Sequence, residues 1–118
     1  MGNPLVAYRG GVDEVFRALA DPTRRLLLEE LRRRDGQTLF ELCTRLISVH
    51  DVGVTRQAVS KHLGVLADAG LIRTTRAGRT TVHRLDPGPL AGVAGWLDVM
   101  SAPAAPPAAP PAPTEESP

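Results

Sequence analysis

Arg56, Gln57, Ser60 and Lys61 lie close together in the chain, interleaved with Val59, Leu63 and Leu66. A guanidinium can pair bidentately with guanine and a carboxamide with adenine, and a hydroxyl or ammonium suits phosphate oxygens. Residues 55–70, TRQAVSKHLGVLADAG, sort at helical spacing into two faces. Val59, Leu63 and Leu66 fall on one side. Gln57, Ser60, Lys61 and Gly64 fall on the other, with Arg56 in the first turn. Such a helix hides one face in a small domain and offers the other to a DNA major groove. Thr55 precedes it as the capping residue and adds a hydroxyl at the same end. His62 sits at the edge between the faces, where it serves packing or a phosphate contact.

The charge distribution agrees with that chemistry. The chain has 118 residues and a net charge of +1, so the total says little. From residue 54 to 85, however, Arg56, Lys61, Arg73, Arg76, Arg79 and Arg84 face the single acid Asp68. A solvated basic face would account for the count alone. Its overlap with the two-faced helix points instead to a polyanion met by one surface, double-stranded DNA. Arg76 and Arg79 flank Ala77-Gly78, where an arginine-bearing turn can enter a narrow minor groove.

The elements that must position these residues follow from periodicity and capping. Val12, Val15, Phe16 and Leu19 mark an amphipathic helix from Gly11 to Leu19. Asp21-Pro22 starts a second, with Leu26, Leu27, Leu28 and Leu31 on its core side, Arg32, Arg33 and Arg34 at its C-terminal end and Gly36 to close it. Thr38 with Glu41 forms a capping-box pattern for a third helix striped by Leu39, Leu42, Cys43 and Leu46. Residues 48–54 form the connection to the two-faced helix, which Gly70 ends; the pair makes a helix-turn-helix pattern. Residues 71–85 are rich in Thr, Val and Ile around Ala77-Gly78, a β-hairpin without a fixed register. Beyond Pro87 and Pro89, Leu90, Val93, Ala94 and Leu97 stripe a closing helix. The expected organisation is a flexible arm over residues 1–10, one domain over 11–100, and a disordered Pro/Ala-rich tail over 101–118.

The architecture is thus mainly α with a small β-hairpin, a winged helix-turn-helix in the order helices, hairpin, helix. The sequence words then match a known family. VFRALADPTRRLLLEEL, TRQAVSKHLGVLADAGLI and GRTTVHRLDPGPL together resemble ArsR-type transcriptional regulators over about residues 12–98. The resemblance implies a sequence-specific DNA-binding regulator, homodimeric and most often a repressor of its own operon. It also implies that Thr55, Arg56, Gln57, Ser60, Lys61, His62, Arg76 and Arg79 make the DNA surface. It favours a two-fold interface built from Val12, Val15, Phe16 and Leu19 with Leu90, Val93 and Leu97 of the last helix. Metal-sensing members carry a Cys-x-Cys box after Glu-Leu; here Glu41-Leu42-Cys43 is followed by Arg45 at the second thiol position. No histidine follows His83 to furnish the other known zinc site. Two or more sulfurs are needed for a soft-metal site, so no metal and no cofactor is expected. An unidentified small-molecule effector is left open.

Other classes are weighed against this one. A winged-helix protein-interaction module, or an activator without metal sensing, is the alternative; the basic wing argues against the former. No nucleophile–base set, paired carboxylates or phosphate-cradling loop is present, so catalysis is not expected. Cys43 is the sole cysteine, which excludes an internal disulfide and fits a reducing compartment. It is read as a small buried hydrophobe, and His50 and Asp51 as plain loop polar residues. With no leader pattern and no long apolar run, a cytoplasmic location without a membrane partner is expected. Only 3% of residues are aromatic, and the thin Leu, Val and Ala core would gain from a second copy.

Overall fold

A computed structural model describes residues 11–104. Its elements run α1 (Gly11–Leu19), α2 (Pro22–Arg33), α3 (Leu39–Ser48), α4 (Arg56–Asp68), β1 (Ile72–Ala77), β2 (Thr80–Leu85) and α5 (Gly88–Ser101). This is the expected winged helix-turn-helix. The expected arm over residues 1–10 lies outside the described residues, as do residues 105–118. The closing helix runs through Ser101, one residue into the stretch read as tail.

Local chemistry explains the starts of α2, α3 and α4. Asp21 accepts from the backbone N–H of Arg24 at 3.0 Å, with Pro22 at the first helical position. The Thr38–Glu41 box closes reciprocally: Thr38 Oγ1 accepts from the Glu41 amide, and Glu41 Oε1 accepts from the Thr38 amide at 2.9 Å. Thr55 accepts from the Ala58 amide at 3.0 Å. At the far end of α4, Leu71 N–H donates to Leu66 O and Gly70 N–H to Ala67 O. That is a Schellman closure around Gly70, whose φ of +79° suits glycine. The second helix departs from expectation at its end. It stops at Arg33 with Arg34 already extended, and the left-handed Gly36 belongs to the loop beyond.

The hairpin pairs Ile72 with Leu85 and Ala77 with Thr80, which leaves Gly78-Arg79 as a two-residue turn. Gly78 has φ +66°, as the first position of a II′ turn requires. The wing is tied back to the helices. Gln37 and His83 exchange backbone hydrogen bonds of 3.1 and 2.8 Å, and Leu85 N–H donates to Asp35 Oδ1. The core beneath is almost wholly aliphatic: Leu27 and Leu31 of α2, Leu42 and Leu46 of α3, Val59, Leu63 and Leu66 of α4, with Val15 and Val93 from the terminal helices.

Candidate nucleic-acid interface

The two-faced reading of α4 holds in three dimensions. Val59, Leu63 and Leu66 are buried, while Arg56, Gln57, Ser60, Lys61 and Gly64 are exposed. Thr55, Gln57, Ala58, Ser60 and Lys61 line a wide open concavity of about 660 Å³ at the start of this helix. No acid occupies the first turn. The unpaired amides there, together with the helix dipole, favour an anion.

The wing contributes a second basic surface. Thr74, Thr75, Arg76, Ala77, Gly78, Arg79 and Thr80 are all exposed. The six basic residues of this region divide into two groups. Arg73 is paired with Asp86 at 3.5 Å and Arg84 with Asp35 at 3.7 Å. Among the described residues no carboxylate pairs with Arg56, Lys61, Arg76 or Arg79. Four uncompensated cations therefore lie on α4 and the wing tip.

His62 is turned inward. Its Nδ1 lies 3.2 Å from Arg24 Nη1 and 3.8 Å from Asp21 Oδ2. Arg24 also donates through Nε to Ala18 O at 2.8 Å and through Nη2 to Arg17 O at 3.1 Å, and Arg25 donates to Leu19 O at 2.7 Å. The two arginines thus satisfy the open carbonyls of α1, and Arg24 links that end to α4. His62 takes part in this link.

A buried carboxylate organises the other side. Glu30 is 3% exposed and accepts from Arg45 Nε at 2.7 Å, Arg45 Nη2 at 3.0 Å and Arg33 Nε at 3.0 Å. His50 Nε2 lies 2.8 Å from its second oxygen. The Arg45 hydrogen bonds, with those of His50 and Arg33, outweigh burial and hold its pKa at about 2. His50 is therefore not a plain loop residue: it fastens the α3–α4 turn to α2. That turn begins later than expected, since Ser48 is still helical, and it reverses at Asp51, a non-glycine residue at φ +56°. Asp51→Gly should raise stability by about 0.5–1 kcal/mol by relieving this conformation. Urea unfolding reads this directly, and a loss of stability would show that the Asp51 side chain does more than tolerate the turn.

Glu30 carries a sequence signal that the apolar reading passed over. It stands three residues after Leu27, on the buried stripe of α2, where a charge requires partners. The identity of those partners, 15 and 20 residues away, is not in the local pattern. Burial pushes the Cys43 thiol up, against the Arg56 charge. Burial pushes the His83 imidazole down, and its Nδ1 has no hydrogen-bond partner among the described residues. No group of three or more His, Cys, Asp or Glu able to hold a metal ion is found among the described residues. No helix among them is long and apolar enough to cross a membrane.

Residues 19–75 match a helix-turn-helix domain family. Over 90 residues the chain is 47% identical to the uncharacterized HTH-type transcriptional regulator YuzN of Bacillus subtilis (strain 168), covering 75% of this chain and 98% of that one. In structure it is similar to an ArsR-like transcriptional regulator from Rhodococcus sp. RHA1, with a TM-score of 0.63 and 35% identity over 75% of this chain and 77% of that one. It is also similar to the AntR antimony-specific transcriptional repressor, with a TM-score of 0.54 and 32% identity over 75% and 76% of the two chains.

Proposed function

The chain belongs to the ArsR-type family of winged helix-turn-helix transcriptional regulators, and from that premise we propose that it is a homodimeric repressor reading a palindromic operator. The observation that carries the reading is the placement of uncompensated Arg56, Lys61, Arg76 and Arg79 on the exposed face of α4 and the wing tip. Arg56 and Gln57 contact base edges from the first turn of α4. Thr55, Ser60 and Lys61 contact phosphates or flanking bases, and the Arg76–Arg79 tip follows the backbone or minor groove. The sense of regulation, repression, is carried over from AntR. Its antimony specificity is not, because Cys43 stands without a second thiol. Footprinting on the DNA upstream of the gene tests the proposal. A protected pair of half-sites, with centres about 34–36 Å apart, is the expected result. No protection at low salt, together with capture of a protein partner, would favour an interaction module instead.

A graded effect is expected at the wing. Arg79→Ala should weaken binding evenly across sequences and lower the slope of affinity against salt by about one. An unchanged slope would remove Arg79 from the phosphate contacts.

The dimer reading rests on α1 and α5. Val15 and Val93 are already covered within one chain, so they belong to its core and offer nothing to a partner. What remains is Val12, Phe16, Leu19 and Leu90, half-buried, and the exposed Trp96, Leu97, Val99 and Met100. Phe16 and Trp96 meet edge to face at 5.6 Å, a rigid aromatic pair at the start of this surface. Trp96→Asp with Leu97→Glu should shift the chain to a monomer in sedimentation experiments and reduce operator binding with it. An unchanged sedimentation coefficient would place the interface elsewhere.

A further inference from the structure

Where α2 ends and α3 begins, a cleft of about 190 Å³ is lined by Arg33, Arg34, Arg45, Gln37, Phe40 and Glu41, among others. Its chemistry differs from that of the proposed DNA surface. Arg33 uses only Nε on Glu30, Arg45 uses Nε and Nη2, and Arg34 Nη2 lies 3.1 Å from Glu41 Oε2. Terminal N–H groups on all three guanidiniums have no acceptor among the described residues. Three guanidiniums against the two carboxylates leave an excess of positive charge. Phe40 stands beside them 66% exposed. Gln37 is 0% exposed, and its Nε2 donates to Glu30 O at 2.9 Å and Arg34 O at 2.7 Å.

These two features select one class of ligand. The guanidiniums take a carboxylate in a fork geometry. The open phenyl ring takes the face or edge of an arene. We propose that this cleft binds a small aromatic carboxylate, its ring on Phe40 and its carboxylate on Arg34 and Arg33. Inorganic phosphate would satisfy the arginines but leave Phe40 unused. Binding reaches the helix-turn-helix through Glu41. One oxygen of that carboxylate closes the cap of α3 and the other holds Arg34, so a ligand that takes over Arg34 loosens the second contact at the start of α3. The regulatory meaning of the site rests on the DNA-binding reading above; the binding itself does not.

The test uses 4-hydroxybenzoate titrated into the full chain without DNA, followed by calorimetry and amide NMR shifts, with phenol and inorganic phosphate as comparators. Saturable binding that perturbs Gln37, Phe40 and Thr44, and that exceeds both comparators at least tenfold, is expected. Arg34→Ala should weaken it about tenfold, the loss of one charge-assisted hydrogen bond, and Phe40→Ala, at an exposed position, should weaken it as well. Absence of saturable binding, equal affinity for phosphate, or indifference to Phe40→Ala overturns the proposal. So does an Arg34→Ala variant that lowers the salt slope of DNA binding and leaves hydroxybenzoate untouched, since Arg34 would then be a contact to the duplex. Failure to bind any promoter DNA would leave the hydroxybenzoate result standing, so the two readings fail separately.

Discussion

Replacing Arg56 and Gln57 together by alanine is expected to reduce binding to the chain's own promoter by about 10²–10³-fold, since each bidentate base contact contributes roughly 1–3 kcal/mol. Both side chains leave the exposed face of α4 in its first turn, and neither enters the core. The cap beneath them is supplied by Thr55 and the Ala58 amide, which the variant keeps. Thermal stability should therefore stay within about 0.5 kcal/mol of the parent. Binding to unrelated DNA should fall far less, because only one positive charge is lost and the remaining cations still meet phosphates. Fluorescence anisotropy at fixed salt, on promoter and scrambled duplexes, separates the two effects. A double variant that binds its promoter as tightly as the parent would sink the assignment of this face. A variant that loses both kinds of binding equally would move Arg56 and Gln57 from base reading to backbone contact.

That surface was legible because it depends on local order. Helical spacing alone divides residues 55–70 into an aliphatic face and a polar one, and the capping words Asp21-Pro22, Thr38–Glu41 and Thr55 mark three helix starts. The hairpin follows from Gly78 between two Thr-rich runs. What sequence does not carry is pairing across the fold. The four wing and helix cations differ from Arg73 and Arg84 only in having no acid nearby, and Asp86 and Asp35 reach the latter two through tertiary contacts. In the same way Arg24 reads as a basic residue on a helix surface, yet it closes the end of α1 and meets His62, 38 residues on. The interface residues show the opposite limit. An apolar stripe says that a face is covered but not by what, so Val15 and Val93 looked like partners for a second copy when their own chain already buries them.

Glu30 is where such unreadable pairing has the largest energetic consequence. Glu30→Ala should destabilise the chain by about 3–5 kcal/mol, the scale for removing one partner of a buried charge cluster. The variant leaves Arg45, Arg33 and His50 gathered around an empty place with no counter-ion. For a domain of this size that corresponds to a fall in melting temperature of roughly 12–30 °C. Arg45→Ala should cost less, because Glu30 keeps Arg33 and His50, and His50→Ala less again. The carboxylate also sets a pH dependence. Its pKa is lowered from 4.5 in the free side chain to about 2 in the fold, so the folded state binds the proton less well than the unfolded one. Its contribution is present in full above pH 4.5 and is lost as pH falls toward 2. The parent should therefore lose stability between about pH 5 and pH 2, and Glu30→Ala should lose less over the same window. Urea unfolding at pH 7 and at pH 3 measures both. If the stability gap between parent and variant were as wide at pH 3 as at pH 7, the cluster would act through packing around Glu30 and not through its charge. If Glu30→Ala melted within a few degrees of the parent at pH 7, Arg33, Arg45 and His50 would have found other partners, and the tie between α2 and the turn into α4 would not depend on this residue.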